Sequence, residues 1–98
     1  MTELVELSGF GDVDKNSMDT VRRMVDGYAR KLQDHCDDFQ GLKVTLKNVH
    51  NSKDHPGRFE LHGKLIDSGR TSVSLAVDVN LFVALDAAMR KLESGVAK

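Results

Sequence analysis

Apolar and polar positions along the chain follow two rhythms, and the switches between them mark out six elements. Leu4-Val5-Glu6-Leu7 alternates over a short span and predicts a strand that stops near Gly9 and Gly11. A polar segment follows, in which Asn16 or Ser17 can cap a helix start. From Met18 the apolar residues are Met18, Val21, Met24, Val25, Tyr28, Ala29, Leu32 and Cys36, the spacing of one helical face, and this helix should stop by Gly41. Leu42, Val44 and Leu46 then alternate with Lys43, Thr45 and Lys47, predicting a half-buried strand. The stretch Asn51-Ser52-Lys53-Asp54-His55-Pro56-Gly57 predicts a loop with a Pro-Gly turn.

Beyond that loop, Phe59, Leu61 and Leu65 alternate with Glu60, His62 and Lys64, predicting a third strand. Asp67-Ser68-Gly69-Arg70 is a hairpin turn signal. Val73, Leu75 and Val77 alternate with Ser72, Ser74 and Ala76 in a fourth strand. Asp78 or Asn80 can cap a second helix whose apolar face holds Leu81, Phe82, Leu85, Ala88, Met89, Leu92 and Val96. The order β-α-β-β-β-α, with one apolar side per strand, predicts an α+β fold: a four-stranded sheet with two helices packed on one face. The wet face is expected to carry Lys43, Thr45, Lys47, Glu60, His62, Lys64, Ser72 and Ser74. At 98 residues, without repeat or linker, residues 1–98 are expected to form a single domain.

Composition narrows the function. Apolar residues make up 40% of the chain and charged residues 30%, an ordinary balance for a soluble domain. No apolar run is long enough to span a bilayer, and the first ten residues have no basic region ahead of an apolar stretch, so neither a membrane span nor a signal peptide is expected. A lone Cys36 excludes an internal disulfide and suits a reducing compartment, so the expected location is cytoplasmic. His35-Cys36 with Asp37 and Asp38 resembles a ligand cluster, but adjacent helical residues point about 100° apart, and Cys36 belongs to the apolar stripe. His50, His55 and His62 have no recurring ligand spacing, so no metal site is assigned. Gly9-Phe10-Gly11 is too short to cradle a phosphate, and no nucleophile elbow, P-loop or dinucleotide turn is present. The chain is expected to be neither an enzyme nor a holder of a cofactor or small-molecule substrate.

The net charge of −1 means that any polyanion partner must be met by a local arrangement of the 14 Lys and Arg residues. On the first helix Arg23, Gly27 and Arg30 form a stripe opposite the apolar face, flanked by Arg22 and Lys31. A glycine within a helix costs about 1 kcal/mol relative to alanine. It is either a tolerated surface glycine or a bare backbone that admits a phosphate chain between two arginines. On the second helix Lys91, Ser94 and Lys98 form another outward stripe, with Arg90 beside it. Asp19, Asp26 and Asp86 each precede an arginine by four residues and can pair with Arg23, Arg30 and Arg90, at about 0.3–0.5 kcal/mol each. Aromatic residues for base stacking are scarce: no Trp, and one Tyr that lies on the apolar face. Two readings stay open: RNA phosphate binding by two basic helix ridges, or a non-enzymatic module that associates with itself or a partner protein through a sheet edge or the wet sheet face.

The chain resembles the ribosome hibernation-promoting factor family, also called the protein Y or sigma-54 modulation group, in its short single-domain form. The resemblance rests on Asn80 through Glu93: Phe82 at an aromatic position, Ala84-Leu85-Asp86 at the core, and Lys91-Leu92-Glu93 at the end. Val21-Arg22 and Lys31-Leu32 match the first-helix pattern. The resemblance implies a fold similar to double-stranded-RNA-binding domains. It further implies binding in the tRNA and mRNA channel of the small ribosomal subunit and silencing of idle ribosomes under stress, with Arg22, Lys31, Arg90 and Lys91 contacting ribosomal RNA. With Arg23, Arg30 and Lys98 from the helix stripes, these make up the expected RNA-binding set. The family's basic continuation after Lys-Leu-Glu is replaced here by Ser94-Gly95-Val96-Ala97-Lys98.

Overall fold

A computed structural model describes residues 4–48 and 57–96. The expected Pro-Gly loop, Gly57 apart, lies outside the described residues, as do His50, His55 and Lys98. The order is β1 (Val5–Ser8), α1 (Lys15–His35), β2 (Phe39–Asn48), β3 (Phe59–Asp67), β4 (Arg70–Asp78) and α2 (Leu81–Val96). The strands lie in sequence order in one sheet. β1 runs parallel to β2, because α1 returns the chain to the same end before β2 begins. β2, β3 and β4 form an antiparallel meander. The architecture is the expected α+β arrangement.

Local chemistry fixes the element ends. α1 starts one turn earlier than its apolar pattern predicts: the cap is Asp14, whose carboxylate accepts from Ser17 N–H at 3.1 Å, rather than Asn16 or Ser17. The Ser17 side chain, and then this bond from its N–H, hold the Asp14 carboxyl below its usual pKa. Asn80 caps α2, its side-chain oxygen accepting from Phe82 N–H at 2.9 Å and Val83 N–H at 3.2 Å, while Asp78 accepts from Asn80 N–H. α1 ends at His35, and Gly41 lies inside β2 beside an irregularity in the ladder.

The core lies between the helices and one face of the sheet. Leu32, Leu61, Leu65, Leu85 and Leu92 are at most 1% exposed. Burial of each contributes about 1.5–3 kcal/mol, so Leu85→Ala, which also opens a cavity, should cost about 2–5 kcal/mol.

β4 corrects one expectation. Val73, Leu75 and Val77 do not face the helices; Ser74 and Ala76 do, at 9% and 7% exposure. The cause is register. The two-residue turn Ser68-Gly69, with both φ angles positive, closes the hairpin at Asp67 and Arg70. That pairing sets Gly63 against Ser74 and Leu61 against Ala76, and residues directly opposite share a face. Small side chains belong there because α2 presses on the sheet: a Cβ added to Gly63 would lie 2.6 Å from Ser74 Oγ and 2.8 Å from Leu92 Cδ1. The same register makes the outer face continuous across Lys43, Lys64 and Val73, then Thr45, His62 and Leu75, then Lys47, Glu60 and Val77. Ser72 pairs with Leu65 and also belongs to the helix-side set, although it is exposed.

Candidate nucleic-acid interface

Lys98 apart, the layer formed by α1 and α2 carries the cations singled out from the sequence, and the fold distributes them over four places. Arg23 and Arg30 stand on the outward ridge of α1, opposite buried Val21, Val25 and Leu32, and both are exposed. Asp19 and Asp26 have the right spacing, but neither pairs with these arginines; among the described residues Arg22, Arg23, Arg30 and Lys31 make no ion pair. Arg22 lies on the flank of α1 towards β1, where with Asp26, Val5, Leu7 and Val25 it lines a shallow cleft of about 310 Å³.

Lys31 and Arg90 are both held at the seam between the helices, Lys31 by Tyr28 and Arg90 by Asp86. The Tyr28 hydroxyl donates to Asp86 across that seam, and Asp86 holds Arg90 at 2.9 Å. The Lys31 ammonium sits 5.2 Å from the centroid of the Tyr28 ring, a cation–π contact worth about 0.5–1 kcal/mol at an exposed site. Burial, and then the bond to Asp86, push the Tyr28 hydroxyl pKa up. Its contact with Tyr28, and then the Asp86 charge, raise the pKa of Arg90. Of the three spaced Asp–Arg pairs, only Asp86–Arg90 forms among the described residues. Sequence reasoning missed Tyr28 and Asp86 as the pair that locates Lys31 and Arg90. Tyr28 fell on the apolar stripe, and no local pattern shows that its hydroxyl reaches a residue 58 positions away.

Lys91 points the other way. Its ammonium donates to the carbonyl oxygen of Leu75 at 2.6 Å, on the open edge of β4. Arg90 and Lys91 therefore leave opposite flanks of α2 and do not share one surface. Arg23, Arg30, Lys31 and Arg90 remain on the solvent side of the helix layer.

The other candidate chemistry resolves as packing and capping. His35 is exposed and Cys36 half-buried. Burial, with the Asp67 carboxylate adding to it, pushes the Cys36 thiol up to about 11. Asp67 accepts from Asp38 N–H at 2.9 Å, the main reason its own pKa is lowered, and from the Ser68 hydroxyl at 3.0 Å. Among the described residues no group of three or more His, Cys, Asp or Glu side chains could hold a metal ion. Among them, too, no helix is long and apolar enough to cross a membrane.

These features define a small βαβββα domain with a cationic helix layer and a mixed-charge sheet face. The fold is shared with a ribosomal subunit interface protein from Coxiella burnetii, at a TM-score of 0.62 and 17% identity over 95% of this chain and 92% of that one. It is shared also with the N-terminal domain of Thermus thermophilus Protein Y, at a TM-score of 0.56 and 22% identity over 98% of this chain and 96% of that one. No protein-family model matches the chain, and no curated protein matches it in sequence.

Proposed function

We propose that the protein is a non-enzymatic, ribosome-associated factor that sets its helix layer against ribosomal RNA in the tRNA and mRNA channel of the small subunit and so silences idle ribosomes under stress. The observation that carries this reading is a fold shared over nearly the whole chain with a protein described as a ribosomal subunit interface protein. The residues assigned to phosphate contact are Arg23, Arg30, Lys31 and Arg90, with Arg22 at the margin. Lys91 and Lys98 complete the sequence-derived set; Lys91 would have to release Leu75 before it could join. The mechanism is steric: a rigid domain occupies a channel that substrates need. Its setting would be the cytoplasm, where ribosomes work.

Affinity should come mainly from counterion release, because the layer offers guanidinium and ammonium groups but no exposed aromatic platform. Four phosphate contacts give a salt slope of about −2.8 to −3.6, so binding should weaken about 50- to 150-fold between 50 and 200 mM salt. Co-sedimentation with purified ribosomes measures this. Arg23→Glu combined with Arg30→Glu should abolish pelleting, and Lys47→Glu on the outer sheet face should leave it intact. Equal pelleting of all three proteins, or binding indifferent to salt, would overturn the assignment.

A further inference from the structure

Among the described residues, the edge strand β4 presents an apolar stripe with nothing over it. Val73, Leu75 and Val77 are 76%, 47% and 45% exposed, and Val79, just past the end of the strand, is 55% exposed. Monomeric proteins carry apolar patches of a few hundred Å², and the larger ones usually mark interaction sites. This patch lies on a strand whose second hydrogen-bonding edge is open, since β4 is last in the sheet.

The parity of that edge follows from the turn. Asp67 and Arg70 close a two-residue hairpin, so the even-numbered residues of β4 exchange hydrogen bonds with β3 and the odd-numbered ones direct N–H and C=O outwards. The bond from Lys91 to the Leu75 carbonyl agrees with this. The residues with exposed apolar side chains are therefore also those with open backbone groups.

We infer that β4 is the contact between two copies of this chain, paired antiparallel about a two-fold axis at Ser74 so that two four-stranded sheets join into one of eight strands. Charge complementarity selects the partner and the register. About this axis Arg70 of each copy faces Asp78 of the other, twice over, while Val73 faces Leu75 and Thr71 faces Val77. A register one step along, centred on Leu75, sets Arg70 against Asn80 and loses both ion pairs. Ser74 lies opposite its own copy at the ~4.5 Å Cα separation of a non-hydrogen-bonded pair. There, one χ1 rotation gives its buried, partnerless hydroxyl a partner. Above the sheet, the neighbours of Lys91 on α2 that are not in the core, Ala87, Ser94 and Gly95, are small enough to let the two α2 helices approach.

Lys91 is the gate in this arrangement. Pairing transfers the Leu75 carbonyl from the Lys91 ammonium to the partner's Val73 N–H, so the lysine must swing aside. A lysine over an open edge is a common guard against uncontrolled strand addition. Its single bond sets a modest barrier against two hydrogen bonds for each facing pair of odd-numbered residues.

The test is sedimentation equilibrium of the full chain from about 10 µM to about 1 mM, where a small interface of this kind is expected to associate. Arg70→Glu sets a second carboxylate against Asp78, and Asp78→Lys sets an ammonium against Arg70, so each variant alone should dimerise about tenfold more weakly than the parent. An equimolar mixture of the two should dimerise again, because both contacts are then complementary. Leu75→Lys should remain monomeric throughout, with far-UV circular dichroism unchanged because the side chain lies outside the core. A parent that is monomeric at the highest concentration would overturn the inference, as would a dimer indifferent to Leu75→Lys or a mixture no tighter than its components. Leu75→Lys that loses ribosome pelleting, with a parent that stays monomeric, would assign the stripe to a ribosomal surface and equally overturn it. Self-association that obeys the charge swap stands whether or not the protein binds ribosomes.

Discussion

Gly63→Ala tests the packing of α2 on the sheet at its tightest point. The added Cβ would lie 2.6 Å from Ser74 Oγ, 2.8 Å from Leu92 Cδ1 and 3.3 Å from Met89 Cε. Leu92 and Met89 are at most 1% exposed and have little room to move. Overpacking of this kind costs about 1–3 kcal/mol. Replacing glycine returns about 0.4–1 kcal/mol by restricting the unfolded chain, since Gly63 does not need a positive φ. The net expectation is a loss of about 1 kcal/mol. Ser74→Ala should act in the opposite sense: its hydroxyl is buried without a partner, and removing such a group typically recovers about 1 kcal/mol. It also removes the shortest contact that the new methyl group would meet, so the double variant should exceed the sum of the singles by about 1 kcal/mol. Urea unfolding at micromolar protein measures all four corners of the cycle, with about 0.5–1 M in midpoint for each kcal/mol. A Gly63→Ala protein as stable as the parent, or a strictly additive cycle, would show that α2 does not press on β3 as described.

Three further outcomes follow from the caps and the titrating groups. Asn80→Ala should cost about 1 kcal/mol in urea unfolding, and Asp14→Ala should lower the urea midpoint in the same sense, because each removes an acceptor from free amides in a first helical turn. Cys36, with its pKa raised to about 11, should be alkylated by iodoacetamide near pH 8 about 100-fold more slowly than an unfolded cysteine, the rate rising as pH approaches 11. The carboxyls of Asp14 and Asp67 have lowered pKa values in the fold. The stability they supply is therefore present above about 3.8 and lost as pH falls through their folded values, so an acid titration of Asp67→Asn should show a shallower decline than the parent.

The order of elements, the hairpin turn, the inward sets of α1, β2 and β3, and that of α2 from Leu81 to Leu92 apart from Ala84, were legible from local pattern. β4 was not, and the reason is physical. Alternation separates two faces of a strand but does not say which one is buried, and the usual inference assigns the apolar set to the core. Here the question is decided by Gly63 and the close passage of α2, which admit Ser74 and Ala76 and turn Val73, Leu75 and Val77 outwards. No residue within β4 announces this; the signal lies in its partners, Leu61 and Leu65, read through the register of a two-residue turn. The candidate interface divides in the same way. Helical spacing placed Arg23 and Arg30 on the outer ridge correctly, because that depends on one element. The separation of Arg90 from Lys91, and the contacts of Lys31 and Arg90 at the Tyr28–Asp86 bond, depend on how the helices and the sheet edge meet.

Gly27 connects stability to the proposed interface. It lies in the interior of α1 between Arg23 and Arg30, and a Cβ built on it meets nothing within 4 Å outside its own helix. Neither a close approach nor a positive φ within the fold requires glycine there, so its cost of about 1 kcal/mol relative to alanine is uncompensated in the isolated domain. Gly27→Ala should therefore stabilise the protein by about 1 kcal/mol in urea unfolding. If a phosphate chain passes between the two arginines, the added methyl should hold it off the helix backbone and weaken ribosome pelleting several-fold, although no charge has changed. Stabilisation with undiminished pelleting would exclude backbone approach at Gly27 and leave the contact to the flanking guanidinium groups alone. Loss of pelleting in a protein that has become more stable would be hard to explain by any defect of folding, and would place the polyanion on the outward ridge of α1.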